Sequence, residues 1–162
     1  MRSSLARYLG YLAFSGFVII LDQITKTIAY QKLLGAEPID VLPVLQWALV
    51  FNRGAAFGFL NNAGGIQHYF FSGLAIIVSI VILVWLWRIY ANNSILAWGL
   101  VLVLAGAIGN LIDRIRYQYV IDFINLHYND WYFPAFNIAD MAITLGAFLL
   151  ILDAFGIGQE TD

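Results

Sequence analysis

Polar residues are sparse along this chain, and their positions mark off four long apolar runs separated by short turns or mixed segments. The first run, about 8–28, is broken at its far end by Asp22, Gln23 and Lys26. The second, YFFSGLAIIVSIVILVWLW at 69–87, lies in a stretch with no Asp, Glu, Lys or Arg between Arg53 and Arg88. Two more runs follow at about 95–112 and 135–152. An apolar helix of about 20 residues crosses a ~30 Å hydrocarbon core, so the pattern predicts four transmembrane helices with both termini on one side. Arg2 and Arg7 precede the first run, as they would in a signal peptide. That run is too long, lacks a small-residue cleavage site and carries Asp22, Gln23 and Lys26, so it is read as a retained span. Asp22 and Lys26 are one helical turn apart and can neutralise each other.

The exposed loops are 30–67 and 113–134. In the first, Pro38, Pro43 and several glycines interrupt helix, while VLQWALVF at 44–51 is β-prone. The segment is too apolar for an ordinary solvated loop, which predicts a small sheet or amphipathic element on the membrane surface. With no repeat or linker, residues 1–162 read as one integral membrane domain.

Composition agrees. Of 162 residues 62% are hydrophobic and 11% charged, with mean hydropathy +0.81; a soluble domain carries about 25% charged residues. The net charge of −2 comes without a basic cluster, so nucleic acid is not an expected partner. The absence of cysteine excludes disulfides, thiolate metal sites and a cysteine nucleophile. His68 and His127 are too scattered for a metal cluster, and no metal or cofactor is expected. Counting Lys and Arg argues against cytoplasmic termini, because Lys26, Lys32, Arg53, Arg114 and Arg116 lie opposite Arg2, Arg7 and Arg88. Lys26, Arg53 and Arg114 sit in motif-like contexts, so the physics of the sequence leaves orientation open.

The candidate chemistry lies between Gly106 and Gly146, where Asn110, Asp113, Arg114, Asp122, Asn137 and Asp140 interrupt apolar sequence. Acids at the margin of a membrane segment are expensive unless paired, which makes them functional candidates. Asn137, Asp140 and Thr144 form a polar stripe on one helix face. Asn137 is also a natural N-cap, with Asp140 a favourable partner of the helix dipole. Asp122, in VIDFI, has apolar neighbours that raise a carboxyl pKa. Two such acids brought together share one proton, so one can activate water while the other protonates or polarises a substrate. Asp122 and Asp140 are therefore read as a converging catalytic pair. Asp113 and Arg114 read as a structural ion-pair corner. Asn110, beside Gly106 and Gly109, fits either helix packing or a hold on substrate backbone. Asn52, Arg53 and Gly54 fit either a tight turn or a close approach to a ligand.

These segments resemble a known family, the type II lipoprotein signal peptidases, which are bacterial membrane aspartyl proteases. DQITK (22–26), NRGAAFGFL (52–60), GNLIDRI (109–115), VIDFI (120–124) and FNIADMAITLG (136–146) match its motifs in order. The resemblance implies an all-α membrane protein of four transmembrane helices, with a small extracytoplasmic β-cradle and a surface helix formed by the first loop. It implies cytoplasmic termini and a site facing outward from the bacterial inner membrane. A monomer in contact with membrane lipid is expected. The implied substrate is a prolipoprotein whose lipobox cysteine carries diacylglycerol, cut just before that cysteine. Asp122 and Asp140 match the catalytic pair, and Asn52, Gly54, Asn110, Asp113, Arg114, Asn137, Asp22 and Lys26 the supporting positions.

Two rivals are weighed on the residues. A small proton- or cation-coupled transporter component would place acids near the middle of spans, whereas these cluster toward one face. A non-catalytic assembly partner would use them only for helix association and would tolerate amide replacements. Presenilin-like proteases are disfavoured because the Gly-x-Gly-Asp signature is absent.

Overall fold

The computed structural model describes residues 2–54, 66–89 and 95–157. Helix α1 (Arg2–Leu33) leads into strands β1 (Ile39–Leu42) and β2 (Leu45–Asn52). Helices α2 (Ile66–Ile89) and α3 (Ile95–Tyr117) follow, then β3 (Val120–Tyr128), β4 (Trp131–Tyr132) and α4 (Ile138–Ala154). Among the described residues α1, α2 and α3 are long and apolar enough to cross a membrane. At 1.5 Å per residue α1 is about 48 Å long and overshoots a ~30 Å core, whereas α4 is about 25 Å.

Helices α1, α2 and α4 each bury only a narrow inward stripe, whereas α3 is buried on several sides. In α1 the buried residues are Tyr11, Ser15, Val18, Asp22, Lys26, Ala29 and Leu33, three or four apart throughout. The outer faces carry large exposed apolar side chains such as Phe17, Ile20, Ile77 and Phe148, as lipid-facing surfaces do. Helix α3 is the axis of the bundle and packs against α1, α2 and α4. Its approach to α4 is close enough to need glycine: a Cβ on Gly146 would stand 2.7 Å from the Gly99 carbonyl oxygen, and one on Gly106 would overlap the Ala139 carbonyl.

The four strands form one antiparallel sheet in the order β1-β2-β3-β4. Val50 pairs with Asp122 and Asn52 with Val120, which puts these four on one face. Phe136, just before α4, exchanges backbone hydrogen bonds with Ile124 of β3 at 2.9 Å each way. The base of the sheet is seated on α1 by Ala29, Leu33 and Phe123, flanked by Leu49, Ile124 and Ile138.

Two features differ from the sequence expectation. The sheet is not the work of the first loop alone, since β3 and β4 come from the second. Helices α1 and α3 run beyond the apolar limits expected at Ile28 and Ile112, reaching Leu33 and Tyr117. Asp113 and Arg114 therefore belong to the last turns of a helix and not to a loop. Their charges do not end it, because partners from other elements neutralise Asp113. The expected surface helix, with residues 55–60 of the first-loop motif, lies outside the described residues.

Candidate active site

At the end of the bundle that carries the sheet, α1, α3, α4, β2 and β3 bring a set of buried polar groups together. Asp122 is 1% exposed. Its Oδ1 accepts from Asn137 Nδ2 at 2.6 Å and its Oδ2 from Asn52 Nδ2 at 3.0 Å. Asn52 is fixed in turn, since its Oδ1 accepts the Gly54 backbone N–H at 3.0 Å.

Asn137 caps α4 and belongs to a capping box. Its Oδ1 accepts the Asp140 backbone N–H at 2.9 Å, and its own N–H donates to Asp140 Oδ2 at 3.3 Å. The capping and catalytic readings of the sequence are thus compatible, because the amide oxygen caps the helix while Nδ2 reaches Asp122. The other Asp140 oxygen accepts from Asn110 Nδ2 at 2.8 Å. The two acids are therefore held on opposite sides of an Asn110–Asn137 pair, itself joined at 3.3 Å.

Behind this pair lies an ion cluster. Lys26 Nζ, 1% exposed as a residue, donates to Asp22 Oδ2 and Asp113 Oδ2 at 2.9 Å each and to Asn110 Oδ1 at 3.0 Å. All three ammonium hydrogens have an acceptor. Asp113 also receives Gln23 Nε2 at 2.9 Å and the Ile121 backbone N–H at 3.1 Å. Asp22 receives the Ala139 backbone N–H at 2.9 Å. The expected Asp113–Arg114 corner is thus corrected in its partner: Asp113 pairs with Lys26. Arg114 instead leans toward the Gly54 carbonyl at 3.4 Å and lies 5.3 Å from the Phe71 ring centroid, a cation–π contact.

A family model described as "Signal peptidase (SPase) II" matches residues 14–156. The chain belongs to the signal peptidase II family. It is 54% identical over 150 residues to a lipoprotein signal peptidase of Acinetobacter baylyi, covering 93% of this chain and 84% of that protein. It is 45% identical over 156 residues to one from Ectopseudomonas mendocina, covering 95% and 92%. It also resembles a solved bacterial membrane enzyme, with TM-score 0.76 and 30% identity over 94% of this chain and 92% of the other. Membrane-length helices and these bacterial relatives make it a bacterial inner-membrane protein.

In this signal peptidase II chain both acids line a cavity of about 1320 Å³. Its polar wall includes Asn52, Gly54, Asn110, Arg114, Asp122 and Asp140; its apolar wall runs along α4 through Met141, Leu145 and Phe148. Those three residues recur every three or four positions and are about half exposed, so the cavity opens toward the lipid-facing side of the bundle. Burial, then the Asp140 charge, pushes Asp122 up to about 7, although the amides of Asn52 and Asn137 and the Lys26 charge pull it down. An acid titrating near neutrality can both give and take a proton.

Gln23, noted in the sequence only as an interruption of the first apolar run, and Phe136 had no part in the expected site. Gln23 donates to Asp22, Asp113 and the Gly109 carbonyl, and its adjacency to Asp22 inside an apolar run was the available signal. Phe136 fixes the start of α4 on β3, and nothing local announces that.

Proposed function

We propose that this protein is an aspartyl endopeptidase that removes the signal peptide from diacylglyceryl-modified prolipoproteins, cutting before the lipidated cysteine. The observation that carries it is the Asp122 and Asp140 pair, cross-linked through Asn137 and Asn110 in the wall of a cavity with one polar and one apolar side. The family and its lipoprotein signal peptidase relatives support the substrate class.

In this reading the pair holds one proton between its members. Ionised Asp140, supported by Asn110 and the Asn137 N–H, takes a proton from a water molecule. The hydroxide so formed attacks the scissile carbonyl carbon while Asp122 gives its proton to the carbonyl oxygen. When the tetrahedral intermediate collapses, the C–N bond breaks, the proton taken by Asp140 goes to the departing amine of the lipidated cysteine, and a hydroxyl of the intermediate returns a proton to Asp122 as the new carboxyl group forms. The apolar wall of α4 suits acyl chains, each buried CH₂ contributing ~0.8 kcal/mol. Helix α4 serves as the fourth span, both termini face the cytoplasm, the site faces outward, and the protein acts as a monomer. The acids gather at the sheet end of the bundle and not midway along it, which removes the motive for a transporter.

The test is incubation of the purified protein with a diacylglyceryl lipobox peptide, beside the unlipidated peptide and Asp140→Asn. Cleavage before the modified cysteine by wild type alone is expected. Normal turnover by Asp140→Asn refutes the pair, and equal cleavage of the unlipidated peptide refutes the lipid requirement.

A further inference from the structure

Lys26 lies beside the site without touching the cavity, and the bonds around it have a pattern of their own. It holds two carboxylates, Asp22 and Asp113. Asp22 accepts the backbone N–H of Ala139, the residue immediately before Asp140. Asp113 accepts the backbone N–H of Ile121, the residue immediately before Asp122. One ammonium group thus joins two arms, each ending on the backbone one residue from a proposed catalytic acid. Its third hydrogen goes to Asn110 Oδ1, which obliges the Asn110 amide to turn its Nδ2 to Asp140. The two arms start from different elements, α1 and α3, and end on different elements, α4 and β3.

We propose that Lys26 is a positioning residue that sets the separation and relative orientation of Asp122 and Asp140 through Asp22, Asp113 and Asn110. This rests on the reading of those two acids as the catalytic pair. The physical case is one of rigidity. A buried ammonium with three short, charge-assisted or amide bonds has one low-energy geometry. Moving it would strand two buried carboxylates, a strongly unfavourable outcome. Both acids are consequently referred to one fixed point, in addition to the Asn137–Asp122 bond and the Phe136–Ile124 pairing that tie the start of α4 to β3. The requirement is strict, because a ~1 Å displacement of a catalytic group can cost ~10²-fold in rate. A role in stability alone would need an acceptor for the ammonium; it would not need each acceptor to hold the residue beside a different acid.

The test compares Lys26→Arg and Lys26→Met with wild type on the diacylglyceryl lipobox peptide, between about pH 5 and about pH 9, with melting followed in the same detergent. The charged groups that face the pair are Asp22 and Lys26 of α1 and Asp113 and Arg114 of α3; Asp122 is on β3 and Asp140 on α4. Lys26→Arg keeps the charge but replaces a compact ammonium by a wider planar fork, and so changes the spacing of the arms. We expect it to lower kcat by ~10²-fold with KM within about threefold and the limbs of the pH profile in place. Lys26→Met is expected to lower kcat as much and to move the alkaline limb upward, because the positive charge that holds Asp122 down is gone. Wild-type kcat in a folded Lys26→Arg overturns the proposal, as does a loss confined to KM. If Lys26→Met does not fold, Lys26→Arg decides alone. Asp122→Asn is run in parallel: if it turns over normally the catalytic pair fails, whereas an inactive Asp122→Asn beside a fully active Lys26→Arg sinks only the role of Lys26.

Discussion

Replacing Asp122 by Asn should abolish cleavage and at the same time stabilise the protein at alkaline pH. Folding raises this carboxyl from an ordinary value of 3.8 to about 7, chiefly by burial. The folded state therefore keeps a proton that the unfolded chain releases, so wild-type stability falls as pH rises from about 4 to about 7 and is level above. At 1.36 kcal/mol per unit, this shift of roughly three units amounts to ~4 kcal/mol at pH 8. Asparagine is neutral at every pH and avoids that cost. It has one oxygen where two donors, Asn52 Nδ2 and Asn137 Nδ2, now find an acceptor each, so one hydrogen bond worth ~1 kcal/mol is lost. The balance is a gain of ~3 kcal/mol at pH 8, or roughly 6–12 °C in Tm for a chain of this size. Near pH 4 the gain vanishes and the variant is ~1 kcal/mol the weaker. Thermal unfolding in detergent at both pH values, beside peptide cleavage, measures each part. A variant that melts below wild type at pH 8, or whose difference does not vary with pH, refutes the claim that Asp122 is held near neutrality by burial. Retained cleavage refutes its role in the chemistry.

Three further substitutions probe the supporting structure. Asp113→Ala removes the acceptor of Lys26, Gln23 and the Ile121 N–H; breaking a buried pair costs ~3–5 kcal/mol, so Tm should fall by ~10 °C. An unchanged Tm with lost turnover would assign Asp113 to the chemistry instead. Gly106→Ala inserts a Cβ against the Ala139 carbonyl and Ile143, and overpacking of ~1–3 kcal/mol should lower Tm and cut turnover by tilting the start of α4. Gly16→Ala, where the added Cβ meets nothing within 4 Å, should raise Tm slightly through helix propensity of ~0.5–1 kcal/mol; if both alanines behave alike, close α3–α4 approach is not what Gly106 provides.

The sequence alone determined the features that depend on near neighbours. Apolar runs of spanning length gave the helices, because burial of backbone polar groups in hydrocarbon leaves few alternatives. The β-prone 44–51 segment became β2, Asn137 became a cap, and the one-turn spacing of Asp22 and Lys26 became an ion pair at 2.9 Å. The rarity of polar residues made those that remain conspicuous, so the site's members were legible one by one. Strand β3 was harder to see: Val120, Ile121, Phe123 and Ile124 carried the signal, but its buried half, Val120–Phe123, does not alternate. Tertiary structure alone decided which of the polar residues meet. Asp113 could not be matched to Lys26 at a separation of 87 positions, nor Asp22 to the Ala139 N–H at a separation of 117. The same holds for the ends of helices α1 and α3. A charge stops an apolar helix in a membrane only when it is unpaired, and whether it is paired depends on elements distant in the chain.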